Sequence, residues 1–142
     1  MGIEEQLVGS YRLLSFEHYS DDGEIGRPFG EHPRGFILYT PQHYMSAILM
    51  RADRPNFDAG DILGGNDGEK AAAFASSSAY AGRWEIVGAQ IIHHLEATTY
   101  PNWTDTDQPR DFELTDTHFT LFPPKMIMEG KVRHGRVHWE RL

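Results

Sequence analysis

The chain has 142 residues, a length that fits one domain with a sizeable core. Hydrophobic residues at 39% and charged residues at 24% mark a globular chain, and the formal net charge of −8 argues against nucleic acid and anionic membranes as partners. There is no cysteine, which excludes disulfides, thiolate nucleophiles and cysteine-ligated metal.

The opening residues lack a basic segment followed by an apolar run. No stretch reaches the ~20 apolar residues of a membrane span. A cytoplasmic protein is therefore expected. Residues 7–19 alternate as a long strand, with Tyr11, Leu13, Ser15 and Glu17 on one side and Arg12, Leu14, Phe16 and His18 on the other. Asp21-Asp22-Gly23 signals a turn. Residues 36–40 and Tyr44–Met50 read as a hairpin around Pro41-Gln42-His43. Residues 51–65 form an aperiodic loop, either a lid over a site or a plain connection.

Residues 66–79 are the one predicted helix. Asn66 or Asp67 caps it, and Glu69 in its first turn complements the positive helix end. Its small residues predict close packing on a sheet or closure of one end of a barrel. Strands follow at 80–87 and 90–99, joined by Gly88-Ala89. Residues 100–107 read as a loop, then 110–114 and His118–Phe122 as strands. Pro123-Pro124 breaks the chain, and 125–132 with 136–141 predicts a last hairpin turning near His134-Gly135. The pattern is all-β, with eight or nine strands and one short helix. Turns this regularly spaced favour an antiparallel up-and-down barrel, which closes its own edges.

The strand at 90–99 concentrates polar chemistry. Alternation puts Ile91, His93, Leu95 and Ala97 on the more apolar, inward face and Ile92, His94, Glu96 and Thr98 on the other. A buried His93 is favoured in its neutral form, as a base or a ligand-orienting group, or as a structural histidine bonded to a neighbour. Glu96 is a candidate acid–base partner of His94 if the opposite face is interior. Otherwise the pair is exposed or meets a second copy in a homodimer. His93 and His94 cannot chelate one ion with His118 or His138, because neighbours on a strand point apart, so no metal is expected. No motif implies a cofactor.

Asn102 and Trp103 lie where the barrel mouth should be, and offer an amide beside a flat apolar plate. Arg110 is a candidate for a ligand carboxylate or enolate oxygen. Tyr11, Tyr39, Tyr80 and Trp84 are candidate lining residues, with Ser46 and Arg51 as a further polar set. Tyr80 and Trp84 share a face around Gly82, which leaves room for a ligand or for a close strand approach. A ligand site would appear as an enclosed interior cavity of about 300 Å³ or more with a few convergent polar groups.

Gly9-Ser10-Tyr11-Arg12-Leu13 resembles the G-x-W opening of lipocalin-like barrels, with Tyr11 in place of Trp. The closing Trp139-Glu140-Arg141, with PRGFILYT, MSAILMRADRP, AYAGRWEI, HHLEA and PNW between, resembles the small bacterial and fungal lipocalin-like domain family across nearly the whole chain. The resemblance implies a lipocalin-like β-barrel holding a hydrophobic small molecule. It also implies that Arg141 packs over the opening aromatic. Some relatives of this barrel type act as cyclases or isomerases in natural-product biosynthesis. The expected function is thus enclosure of an apolar cyclic or polyketide-like ligand, with or without cyclisation or isomerisation. In the catalytic version His93 is the base or hydrogen-bond partner. The alternatives are a non-catalytic carrier or sensor, and a structural dimeric barrel with a filled interior.

Overall fold

A computed structural model describes residues 2–142. Its elements are helix α1 (Ile3–Leu7), strands β1 (Gly9–Ser20), β2 (Ile25–Gly26), β3 (Arg34–Tyr39) and β4 (Tyr44–Met50), helix α2 (Asp67–Ala75), strands β5 (Ser77–Val87) and β6 (Gln90–Thr98), a 3-10 turn at Pro101–Trp103, and strands β7 (Thr106–Leu114), β8 (His118–Phe122), β9 (Met126–Met128) and β10 (Lys131–Arg141). The strands pair antiparallel, and β1 also pairs with β10. Eight strands thereby close into a barrel, and β2 and β9 extend its rim beside β1 and β10. Closure pairs every barrel edge internally, as a long antiparallel meander requires.

Alternation explains the wall. Ile37 and Tyr39 on β3, Met45, Ala47 and Leu49 on β4, and Trp84 on β5 are buried, while Phe36, Leu38 and Ile48 face out. Burying such side chains stabilises the fold by about 1.5–3 kcal/mol each. Two large rings, Trp84 and Trp139, share this interior with Tyr11, Tyr39 and Phe119. Tyr11 sits 5.2 Å from Phe119 and edge-on to Tyr39 at 6.3 Å. Arg141 lies over the Tyr11 ring at 4.9 Å, where the resemblance placed it. The Tyr11 hydroxyl donates to the Leu7 carbonyl at 2.6 Å, and Leu7 itself is fully buried.

Several elements depart from the sequence reading. Leu7 ends a helix instead of starting a strand. On β1 the register shifts between Leu13 and Ser15, so Leu14 is an extra residue relative to β10. Such a bulge reverses the alternation. Phe16 and His18 consequently turn to the Tyr11 side, and Ser15 and Glu17 leave it.

Helix α2 is shorter than expected, because Ser77, Ser78 and Ala79 already pair with β4. Its cap is the full reciprocal box, with the Asn66 side chain accepting from Glu69 N–H and the Glu69 carboxylate accepting from Asn66 N–H. None of its residues is buried, so it lies against β5 without plugging the barrel. Strand β7 begins at Thr106, inside the expected loop. The last hairpin turns at Glu129 and Gly130, both with positive φ, and β10 runs unbroken through His134 and Gly135.

Candidate functional site

The interior divides into a packed floor and an open end. The floor holds Tyr11, Tyr39, Trp84, His93, Phe119 and Trp139, all buried. The open end holds a cavity of about 190 Å³ whose wall includes Phe16, His18, Tyr80, Trp103, Arg110 and Leu121. Phe29, Met126 and Met128 complete its rim. The walls are mostly apolar. The volume is below the 300 Å³ expected from sequence, because the floor rings fill the other end of the barrel.

Of the sequence-derived candidates, the structure brings Tyr80, Trp103 and Arg110 to this cavity. Tyr80 meets the Trp103 ring edge-on at 5.7 Å, and both residues line the cavity. Arg110 is 3% exposed, and its Nη1 has no hydrogen-bond partner. Among the described residues, no carboxylate lies within ion-pair distance of it. Burial lowers its pKa, opposed by the nearby hydroxyls of Tyr80 and Tyr39. A guanidinium nonetheless keeps its proton in proteins. The cavity therefore carries a fixed, uncompensated positive charge inside an acidic protein.

His93 is fully buried and its Nε2 lies 2.8 Å from the Tyr39 hydroxyl. Its Nδ1 is buried without a partner. Burial pulls its pKa well below the ordinary value, and the Arg110 charge adds to this. It is a neutral floor residue and does not line the cavity. Tyr39 is tied to it, and burial holds the Tyr39 hydroxyl protonated. Trp84 Nε1 donates to the Thr40 carbonyl at 3.2 Å, and its ring stacks on His43 at 4.4 Å. Tyr11, Tyr39 and Trp84 are thus wall and floor, not cavity lining.

Four candidates lie elsewhere. Ser46 faces outward on β4, opposite Leu38 and Ala81, because inward positions fall to Met45 and Ala47. Arg51 pairs with Asp53 at 2.9 Å and donates to the Pro28 carbonyl at 3.3 Å, so it braces the loop beside the cavity. Asn102 is exposed and donates to the Tyr100 hydroxyl at 2.9 Å. Glu96 is exposed, on the bulge where β6 loses register with β5, and it lines an open outer groove. The same bulge turns Ala97 outward, against the sequence expectation. His94 pairs instead with Asp107 at 2.7 Å and Glu85 at 2.9 Å on the outer wall. Gly82 serves a close strand approach: a Cβ there would stand 2.0 Å from the His94 carbonyl oxygen.

Sequence reasoning missed Phe16, His18, Met126 and Met128. The first two were hidden by the Leu14 bulge, and the methionines by the misplaced last turn. His18 is buried against Gly26, where a Cβ would fall 1.9 Å from its ring. Arg133 Nη1 donates to His18 Nδ1 at 2.8 Å. Burial and the Arg133 charge lower the His18 pKa. A neutral imidazole has one lone pair, and Arg133 occupies it, so His18 has only an N–H to offer.

A model of the lipocalin-like domain matches residues 8–142. The chain belongs to the lipocalin-like domain family. A curated member of similar sequence is the 4'-hydroxy-3'-methoxypropiophenone carrier protein ppsC of Aspergillus oryzae, 35% identical over 69% of this chain and 96% of that protein. Among solved structures, a lipocalin-like protein from Bacteroides uniformis matches with a TM-score of 0.51 at 15% identity, covering 96% of this chain and 99% of that one. This second likeness speaks for the fold alone. With family and fold together, the lipocalin-like barrel is a small-molecule-binding barrel. Among the described residues no helix is long and apolar enough to cross a membrane.

Proposed function

We propose that this lipocalin-like barrel is a carrier that encloses one small, mostly apolar, ring-bearing molecule at its open end. The carrying observation is the cavity itself: about 190 Å³, apolar-walled, with Tyr80 and Trp103 as ring plates and Arg110 as its charged group. Drug-sized pockets run about 300–1,000 Å³, so the occupant is close to one substituted ring. The ppsC relative is named for carrying a compound of that kind, an aryl ketone. Carriage in the cytoplasm suits a chain without cysteine. A homodimer would use the outer face of β3 and β4, where Phe36, Leu38, Tyr44 and Ile48 are exposed, and sedimentation would read it.

A cyclase or isomerase is the second reading, favoured by Arg110, which could stabilise negative charge developing on a substrate oxygen. It lacks a placed base. His93 sits in the floor behind Tyr39, and the His18 lone pair is taken. Carriage needs neither. Calorimetric titration with small aryl ketones, followed by chromatography of the recovered ligand, tests both readings. Carriage predicts stoichiometric binding and unchanged ligand, with binding weakened about tenfold or more by Leu121→Trp, which fills the cavity. Converted ligand would favour the enzyme. Equal binding by Leu121→Trp would move the site elsewhere.

A further inference from the structure

Resting on the carrier reading, we infer that the cavity selects a ligand bearing an ionised or strongly accepting oxygen, a phenolate, enolate or carboxylate, which pairs with Arg110. The fixed polar groups of the cavity carry the inference. Arg110 brings N–H donors, one of which has no partner in the protein. His18 lines the same space, and its one lone pair is already occupied by Arg133. Arg110 and His18 therefore put donor-bearing side chains in the wall of a small apolar space, to which a neutral hydrocarbon brings no acceptor.

The cost of such a cation is large unless something completes it. A buried charge is ordinarily paired, and one left without its partner is strongly unfavourable. The groups packed around Arg110 do not neutralise it. Tyr39 from β3 and Tyr80 from β5 are hydroxyls, and burial raises both pKa values. His93 from β6 is neutral. Glu129, on the hairpin between β9 and β10, is a cavity-lining carboxylate, but it stands 3.9 Å from Arg133 and is exposed. An anionic oxygen arriving with the ligand supplies the missing acceptor, in a charge-assisted hydrogen bond of the strong class. The apolar walls raise the worth of that bond by excluding water. They also reject highly polar anions, so the class is an apolar ring with one acidic oxygen.

The test uses the intact chain with two probes of nearly equal shape: 4-hydroxyacetophenone, whose phenolate absorbs at longer wavelength than its phenol, and its 4-methoxy ether, which cannot ionise. Wild type is expected to bind the hydroxy probe as phenolate at a pH where most of the free probe is still phenol. The phenolate-over-ether preference should fall about 10- to 100-fold in Arg110→Met, and Arg110→Lys should retain part of it. A ratio is read, so a general loss of folding or affinity does not imitate the result. A bound probe that stays in its phenol form in wild type, or an equal ratio in wild type and Arg110→Met, overturns the inference while leaving carriage intact. Failure of wild type to bind either probe overturns carriage and the inference together.

Discussion

His93 and His94 are chain neighbours that titrate in opposite directions. Burial depresses His93, so the unfolded chain takes up a proton near 6.5 that the folded chain refuses. Stability from this group falls as pH drops below 6.5, by up to about 1.4 kcal/mol per pH unit until its folded pKa is reached. His18 and His138 act in the same direction. Hydrogen bonds donated to the Asp107 and Glu85 carboxylates raise His94, whose contribution is complete below 6.5 and lost as pH rises through its folded value. That term is smaller, because solvent screens the exposed pair. Denaturant titrations between pH 5 and 8 should show maximal stability near pH 6.5, steeper on the acid side. A stability that climbs steadily to pH 8 would contradict this balance. The Tyr39→Phe variant removes the partner of His93 Nε2, and should cost about 1–3 kcal/mol by the same measurement while leaving ligand affinity within about threefold. Alternation alone made His93 legible as an interior residue. Its partner was not legible, because the Tyr39–His93 contact joins strands distant in sequence.

At the scale of elements, two irregularities decide what the cavity contains. The Leu14 bulge rotates the second half of β1, and that rotation delivers Phe16 and His18 to the interior. Deleting Leu14 makes the register with β10 continuous and keeps Phe16 and His18 on the Tyr11 side, so calorimetric titration should find ligand affinity within about threefold of wild type where the barrel still folds. Loss of binding in a folded deletion variant would show that the bulge itself shapes the cavity. Where β5 and β6 lose register, Gly82 lets the strands approach. Gly82→Ala places a Cβ against the His94 carbonyl and should destabilise by roughly 2–4 kcal/mol, read as a drop in the denaturation midpoint. Strands with unbroken alternation, β3 and β4, were readable from sequence as a hairpin, although Ser46, expected at the ligand site, faces out. A bulge leaves no composition signal, since Leu14 is as strand-compatible as its neighbours. The last turn was misread for a related reason. His134-Gly135 looks like a turn, but Gly135 is needed for the close approach of Pro123, and the positive-φ pair is Glu129-Gly130.

For the whole molecule, closure and function occupy opposite ends. Arg141 locks the packed end by covering Tyr11 and donating to the carbonyls of Val8 and Gln6. Arg141→Ala should cost about 1–3 kcal/mol of stability and leave ligand affinity little changed, because the cavity lies at the other end. The barrel and this lock were legible because the opening and closing motifs bracket the chain. The division of the interior was not, since it depends on how floor rings from six strands fill one space. Trp103 lines the cavity, whereas Trp84 and Trp139 belong to the floor. The most direct measurement is tryptophan fluorescence during titration with acetophenone, in wild type and in Trp103→Phe. The account predicts saturable quenching in wild type that is largely lost in Trp103→Phe. Saturable quenching undiminished in Trp103→Phe, or only linear collisional quenching in wild type, would contradict a ligand site at the open end of the barrel.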